Sequence, residues 1–388
     1  MKNLWILSLI ALLAGCSKES SAPEVVKDTA VNKPEVCEFG ASGFNLSKRA
    51  PVEVVKEKRP TGGGGGATPP PPPANASVIL LDFDGQLVSG TSWNAGVAFN
   101  CLPANLASSA IAQIVDRVTN DYSPFNIVVT TDETVYNAAV STRRMRVIFT
   151  ESWEWFGQAG GTSFLNSFTW GNNTPCFVFS SLLGYNEKQI AEAASHEAGH
   201  TFGLRHQATY NGTTLVSEYN YGGGAGEMSW APIMGCGYYK NLTTWHNGPN
   251  SISSTSFQND VAVIGAITGL KNDDYSNTSS GAQALSSSLT GTINSTTDTD
   301  FFTINLAAPK TLSLVPFNVG GLNEGANLDM VAKIYNSQGQ LINTVEDPTT
   351  LNAISLVNTG QYYIAVSVTP NPNAGIYGML ANYKISLN

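Results

Sequence analysis

The amino-acid sequence predicts an α/β (α+β) domain with a mixed, twisted sheet, followed by an all-β sandwich. From about residue 77 to 270, short apolar runs alternate with segments of helical period, which is typical of strands and helices that share one core. After about residue 270, short alternating runs are separated by Gly, Asn and Pro, the spacing of sandwich strands. The charged fraction of 13% suits such β-rich modules better than helical bundles.

The first 16 residues predict an export signal. One lysine precedes an apolar run of about ten residues, too short to span the roughly 30 Å hydrocarbon core of a membrane. The small residues of "LLAGC" resemble the bacterial lipoprotein signal, in which Cys16 is lipidated and becomes the mature N-terminus. Ordinary cleavage nearby, with Cys16 discarded, is the alternative. The lipoprotein signal implies a lipid anchor in a bacterial envelope, at the outer membrane or the cell surface.

Residues 17–76 predict a flexible tether, because a Gly run and a Pro run stand together without an apolar period. The net charge of −9 and the lack of a Lys/Arg cluster argue against nucleic acid as a partner. We expect a monomer. Outside the cytoplasm, the remaining cysteines allow three full pairings, or one bridge with two free thiols. They are Cys37, Cys101, Cys176 and Cys236.

Local patterns predict the elements of the first domain. Val78 to Phe83 is expected to form a buried strand, and residues 104–122 carry apolar residues close to a helical period. Further strands are expected from Phe125 and Arg144, and residues 160–170 form another extended segment. Residues 187–203 predict the strongest helix, because they are rich in Ala and Glu and end at a glycine that tolerates positive φ.

Three of the four histidines lie in "SHEAGHTFGLRH". His196 and His200 are four residues apart, so a helix places them one turn apart on the same face. Gly203 would end the helix and turn the chain, which lets His206 approach the same point from another direction. Glu197 lies beside these imidazoles and can reach a water molecule on a shared metal. The alternative is a helix that merely carries paired surface histidines.

Three neutral imidazoles leave a fourth position open, which is typical of a catalytic rather than a structural zinc site. We therefore expect one Zn²⁺ per chain. The metal would lower the pKa of bound water towards about 7, and Glu197 would take the proton as the water attacks a carbonyl. A purely structural site would have no need of this general base.

The full pattern H-E-x-x-H-x-x-G-x-x-H resembles that of the metzincin metallopeptidases. Met234, in "WAPIMGCGYY", stands 28 residues after His206 and matches the methionine of the Met-turn, which forms a hydrophobic base under the zinc. The resemblance implies a zinc endopeptidase that acts on protein or peptide substrates. Its active-site helix would then be the one at residues 187–203.

The sequence also departs from the family pattern. Gln207 follows the third histidine, where several metzincins carry Asp or Glu, and Cys236 stands where some carry a tyrosine near the zinc. Tyr238 and Tyr239 lie slightly further on. Either tyrosine is a candidate to contact the oxyanion or the substrate, with ordinary packing as the alternative.

Four segments are predicted from these patterns. Residues 1–16 are the signal and 17–76 the tether. Residues 77–270 resemble a reprolysin-like bacterial metallopeptidase domain, on segments such as "LLDFDG", "RMRVIFT" and "APIMG". Residues 271–388 resemble a bacterial pre-peptidase C-terminal domain, a β-sandwich often appended to secreted peptidases, on "GTINSTTDTDFFTINL" and the strands that follow.

Other residues leave alternatives open. Cys37 lies where some metzincins hold a cysteine that caps the zinc, but a disulfide or a free thiol suits its surroundings better. Residues 160–170 are expected either at the sheet edge along the cleft, where an extended peptide would pair, or inside the sheet. His246 is expected to pack or lie at the surface rather than contact substrate. A structural calcium is conceivable at a group of carboxylates, namely Asp82, Asp84, Asp273 and Asp274.

The leading hypothesis is a lipid-anchored zinc endopeptidase. A non-catalytic zinc-containing surface lipoprotein, with the sandwich as its binding part, is the rival from another class. A third possibility is an amidase or another non-peptide hydrolase that uses the same water chemistry.

Overall fold

The computed structural model describes residues 76–316, 327–347 and 351–388, together with the backbone of a strand at Pro34–Cys37. These residues belong to one compact unit that spans 33–388. Cys16 and nearly all of the predicted tether lie outside the described residues.

The described chain is rich in strands and contains few helices. The helices are α1 (Ser108–Asp121), α2 (Glu133–Ala138), α3 (Glu187–Thr201) and α4 (Asp260–Thr268), with 3-10 turns at Trp93–Gly96, Ser141–Arg143, Ser167–Thr169, Gly226–Met228 and Ser279–Gly281. Strands before residue 270 are β1 (Pro34–Cys37), β2 (Ser77–Asp82), β3 (Gln86–Val88), β4 (Phe99–Cys101), β5 (Ile127–Thr130), β6 (Arg144–Thr150), β7 (Gly161–Phe164), β8 (Cys176–Phe179), β9 (Thr209–Asn211), β10 (Thr214–Ser217), β11 (Trp230–Pro232), β12 (Leu242–Thr244), β13 (Asn247–Pro249) and β14 (Phe257–Asn259). Strands after residue 270 are β15 (Gln283–Ala284), β16 (Ser288–Ile293), β17 (Asp300–Leu306), β18 (Lys310–Pro316), β19 (Met330–Asn336), β20 (Leu341–Asp347), β21 (Leu351–Leu356), β22 (Gly360–Val368) and β23 (Ala381–Leu387). Within the described ranges, no helix combines the length and the apolar character needed to cross a membrane.

The first part of the chain is built on a six-stranded mixed sheet with the order β1-β7-β8-β6-β2-β5. The four strands β5, β2, β6 and β8 are parallel, whereas β7 runs antiparallel to β8 and β1 antiparallel to β7. Alternate residues of β2 face opposite sides. Ile79 and Leu81 join the core under α1 and α3, while Val78 and Leu80 pack with Tyr136 of α2. Helices therefore cover both faces of this sheet.

Helix α3 is buried along nearly its whole length. The side chain of Asn186 caps it by accepting a hydrogen bond from the backbone N–H of Gln189 at 3.0 Å, and Glu187 places a negative charge in the first turn. Every residue from Lys188 to Thr201 is buried. Helix α1 packs alongside, and the hydroxyl of Tyr122 donates to the carbonyl of Ser195 at 2.9 Å.

The last part of the chain forms two sheets, with the orders β15-β17-β22-β19-β20 and β16-β23-β18-β21. Buried and less buried residues alternate along β17, which places Phe302, Ile304 and Leu306 in a core that both sheets share. The strand-rich, sandwich-like end of the chain is as the sequence predicts.

A polar junction, formed by Asn120, Asp121, Ser195, Asn327 and Asn382, joins α1 and α3 to the sandwich. The Asn327 amide donates to the Asp121 carboxylate at 2.8 Å, and the Asn120 amide donates to the Asn327 carbonyl oxygen. The backbone N–H of Asn382 in β23 donates to the Asn120 side chain at 3.0 Å, and the Ser195 hydroxyl donates to Asp121. Apart from Asn382, which is half-buried, these residues are buried, so their polar groups depend on one another for hydrogen bonds.

The Asp121 carboxyl should make folding stability fall as pH rises. Burial and the nearby charge of Glu192 raise the pKa of Asp121 to about 7, although hydrogen bonds from Ser195 and Asn327 oppose the shift. Between about pH 4 and 7 the Asp121 carboxyl binds a proton more often in the folded state than in the unfolded state. Each unit of pH increase in that range therefore lowers the free energy of unfolding by up to about 1.4 kcal/mol.

Asp121→Asn keeps one acceptor for Asn327 and one N–H for Ser195, so we expect it to flatten this part of the profile. Urea unfolding of wild type and variant from pH 4.5 to 8 would measure it. Asp84→Asn, at an exposed position, is the control. Equal slopes in wild type and Asp121→Asn would contradict the prediction.

Candidate metal centre

The three histidines of the motif meet in the interior. His196 and His200 project from α3, and His206 approaches from the segment after it. The ring centroids lie 4.7 Å apart for His196 and His200, 5.2 Å for His196 and His206, and 4.8 Å for His200 and His206. One nitrogen from each ring lies within 4.8 Å of the others, so the group can hold a metal ion.

Hydrogen bonds on the opposite ring nitrogens fix the orientation of the imidazoles. Each Nδ1 faces an oxygen acceptor, so each donates its proton there and keeps the lone pair on Nε2. The acceptors are Ile233 O for His196 at 2.8 Å, Leu204 O for His200 at 2.6 Å and Glu218 Oε1 for His206 at 2.9 Å. The three Nε2 atoms are buried and have no hydrogen-bond partner in the described part of the chain. Buried lone pairs left unmatched in this way are what a metal ion would satisfy.

Burial keeps the imidazoles of His196 and His200 neutral. It lowers the pKa of His196 to about 3, with help from nearby His206, and it lowers the pKa of His200 well below the usual value. Metal ions bind neutral imidazole, so these two ligands need lose no proton at neutral pH.

The sharp turn after α3 depends on Gly203. Its φ is +103°, and a Cβ atom there would lie 2.3 Å from Oδ1 of Asn166. Glycine tolerates both conditions, which is why the helix can end and lead His206 back to the site. The backbone N–H of Gly203 closes the turn on the carbonyl of His200 at 2.8 Å.

Met234 lies directly against α3 at Gly199. A Cβ atom at Gly199 would be 2.6 Å from the sulfur of Met234, and the methionine is fully buried. The Met234 carbonyl accepts a hydrogen bond from the backbone N–H of Gln207 at 2.7 Å. The carbonyl of the preceding residue, Ile233, accepts a hydrogen bond from Nδ1 of His196. The methionine segment thus contacts both ends of the histidine motif.

Glu197 is fully buried between α3 and β7. The hydroxyl of Ser163 in β7 donates to Glu197 Oε2 at 2.6 Å. Gly161 packs so closely that a Cβ atom there would lie 2.6 Å from Cγ of Glu197. The strand therefore fixes the position of this carboxylate on the helix that carries His196 and His200.

The sequence did not point to Tyr219, whose ring stacks on His206 with centroids 4.3 Å apart. Glu218, the acceptor for His206, was also missed. Both lie in "SEYNYGGG", where an acidic residue and aromatic residues before a glycine run were the available signal. Of the tyrosines proposed from sequence, Tyr238 packs against the core of the first part and Tyr239 is 72% exposed.

The other candidate residues are not members of the three-histidine group. His246 is half-buried, with its ring edge-on to Trp230, and burial lowers its pKa to about 4. Cys101, Cys176 and Cys236 are free thiols. The backbone of Cys37 ends β1.

The carboxylates proposed for calcium are arranged differently from the expectation. The carboxylate of Asp82 forms an ion pair with the guanidinium of Arg146 at 2.5 Å, which balances its charge. Asp84 is exposed. Asp273 and Asp274 instead lie with Asp300, and an oxygen from each is within 4.8 Å of the others.

Comparisons with known proteins add little to this geometry. No family model and no curated protein matches the chain. Among solved structures, the pre-peptidase C-terminal domain of a collagenase from Bacillus anthracis is similar at 16% identity, with 28% of this chain and 92% of that domain covered. The TM-score is 0.20, and a likeness at that level carries no weight for fold or function.

Removing one imidazole should abolish tight metal binding. We expect His200→Ala to weaken zinc affinity by more than about 100-fold, since loss of outer partners alone typically weakens it 10- to 100-fold. His246→Ala, which removes the one histidine outside the cluster, should keep about one zinc per chain. Elemental analysis after dialysis and titration against a chromophoric chelator would measure both. Tight binding of one zinc by His200→Ala would contradict the assignment of ligands.

Proposed function

We propose that this chain is a zinc-dependent endopeptidase of metzincin type. The observation that carries the proposal is the convergence of three buried Nε2 atoms that have no hydrogen-bond partner among the described residues. Glu197 follows His196 directly on the same helix, and its carboxylate is buried as well. Imidazole nitrogens in a set of three suit zinc, and an acidic neighbour outside the set suits a general base.

Different residues of the chain would bind the metal and transfer the proton. His196, His200 and His206 would hold the ion, and zinc bound there would polarise a water molecule and a substrate carbonyl. Glu197 would accept the proton of the attacking water and pass it to the leaving amine. The Ser163 hydroxyl holds Oε2 of Glu197, which limits the orientations of the carboxylate before substrate arrives.

Strand β7 supports a peptide as the substrate class. It lies next to Glu197 and pairs antiparallel with β8 on one side. On its other side it pairs antiparallel with the four-residue strand β1, which shows that this side forms main-chain hydrogen bonds with an extended segment, as a bound peptide would. Lipidation at Cys16 and the Gly/Pro tether would hold the enzyme at the envelope surface while protein substrates reach it.

Loss of the Glu197 carboxylate should remove peptidase activity and leave the metal in place. We expect Glu197→Gln to lower kcat by about 10²- to 10⁴-fold with about one zinc retained, as for removal of a general base. Glu154→Gln, at an exposed position, is the matched control.

The measurement uses residues 17–388, which include every described residue, with a mixed peptide library read by mass spectrometry and zinc by elemental analysis. Zinc in all chains without cleavage by the wild type would favour the non-catalytic surface lipoprotein. Cleavage of amide substrates that are not peptides would favour the amidase.

We also propose a structural calcium at Asp273, Asp274 and Asp300. Asp300 is fully buried, its Oδ1 has no hydrogen-bond partner in the described residues, and the Tyr383 hydroxyl holds its Oδ2. Burial, partly opposed by that hydrogen bond, raises the pKa of Asp300 to about 8, and nearby carboxylates add to the rise. A bound cation would relieve this repulsion, and carboxylate oxygens are the ligands that calcium prefers.

Calcium at 100 times its dissociation constant should then stabilise the fold by about 2.7 kcal/mol. Asp300→Asn should abolish the rise in Tm on adding calcium, whereas Asp84→Asn should keep it. Differential scanning calorimetry with calcium or with EGTA tests this. An unchanged wild-type Tm would refute the site.

A further inference from the structure

A polar cavity lies on the face of the sheet that is opposite to α3. Side chains alternate along β6, and Met145 and Val147 pack in the core cluster to which α3 also belongs. Arg144 and Arg146 therefore project from the other face, where their guanidinium groups lie over the ring of Tyr136, 4.5 and 4.9 Å from its centroid. They border a cavity of about 400 Å³, a volume within the range of small-molecule sites.

Two segments that line the cavity are held to each other. One is residues 86–91, and the other lies within residues 172–175. The indole N–H of Trp93, which is buried directly after the first segment, donates to the carbonyl of Pro175 in the second at 2.7 Å. This bond holds the two walls together, so a ligand does not have to order them on binding.

The guanidinium of Arg144 is held in place by uncharged acceptors. Its Nη2 donates to the side-chain oxygen of Asn173 at 3.0 Å. Its Nη1 donates at 3.1–3.4 Å to three backbone carbonyls at the end of α2, those of Tyr136, Asn137 and Ala139. Across the described ranges, no carboxylate forms an ion pair with Arg144.

The carboxylates nearest to the cavity are held by the other arginine. Arg146 forms ion pairs with Asp82 and with Glu133, at 2.5 Å in both cases, and neither carboxylate lines the cavity. The charged side chains of the wall are therefore the two arginines, and no ion pair balances the charge of Arg144. The rest of the polar wall consists of amide and hydroxyl side chains, namely Gln86, Ser89, Thr91, Asn137, Asn172 and Asn173.

We propose that this cavity binds a sugar acid, a small molecule that joins a carboxylate to several hydroxyl groups. The carboxylate pairs with Arg144, because a guanidinium presents its N–H groups in a fork that matches a carboxylate. The hydroxyl groups exchange hydrogen bonds with the amides of the wall, each of which offers both a donor and an acceptor. The site does not depend on the endopeptidase function, since it lies across the sheet from α3.

Isothermal titration calorimetry of residues 17–388 with D-galacturonate tests this assignment. D-galactose and acetate are the matched probes, because galactose lacks the charge and acetate lacks the hydroxyl groups. We expect D-galacturonate to bind at least ~10-fold more tightly than either. Equal affinity for galactose would remove the role of Arg144, and equal affinity for acetate would remove that of the amides, so either result overturns the proposal.

Asn172→Asp introduces a negative charge into the wall at nearly constant size. The new side chain keeps the oxygen that accepts from the backbone N–H of Thr174 at 3.1 Å, so the local turn is retained. Charge repulsion should weaken galacturonate binding at least ~10-fold. Asn305→Asp, at an exposed position of β17, makes the same change in net charge and should bind as the wild type does. A thermal melt verifies that both variants are folded.

These variants locate the bound acid. Weaker binding in Asn172→Asp alone supports the cavity, whereas equal affinity in all three chains would place the acid elsewhere and overturn the proposal. Lack of binding by the wild type at about 10 mM would overturn it as well. A galacturonate trimer separates two sources of the same chemistry. Binding at least as tight as that of the monomer indicates the end of an acidic polysaccharide, and weaker binding indicates the free sugar acid.

Discussion

The fold is arranged around one constraint, the burial of a helix that carries many polar side chains. Helix α3 holds two imidazoles, two carboxylates and a serine among the polar groups that it buries, and such groups need hydrogen-bond partners. Ser163 supplies one for Glu197, Ile233 supplies one for His196, and Asp121 supplies one for Ser195. The loops and strands that meet α3 are thus fixed by hydrogen bonding as well as by apolar packing.

That constraint also explains why the sandwich belongs to the same compact unit. Asp121 accepts from Ser195, which directly precedes His196, and it also accepts from Asn327, which lies just before β19 of the sandwich. Removing the sandwich would leave a buried carboxylate without one of its donors, at a penalty of about 1–3 kcal/mol or more for a charged group. The C-terminal sandwich therefore helps to fix the position of α3, the helix that carries His196 and His200.

The sequence predicted the part of the site that local periodicity encodes. The i, i+4 spacing of His196 and His200, with Gly203 to end the helix, gave the three-histidine cluster, and the cluster is able to hold a metal ion. The partners of the imidazoles could not be found this way, because the Glu218 side chain and the Ile233 carbonyl reach the site through long-range packing. Asp300 likewise joins Asp273 and Asp274 only once β17 is in place.

The pairing of β1 is the clearest case of information outside the reach of local pattern. Residues 34–37 are too short for a periodic signal, and their register on β7 joins segments far apart in sequence. The physical reason for the pairing lies in β7, whose outer side would otherwise present unpaired N–H and C=O groups near the buried carboxylate of Glu197. An edge that presents such groups is one that any nearby extended segment can pair with. Residues 34–37 are such a segment, and with them β7 has a pairing strand on both sides.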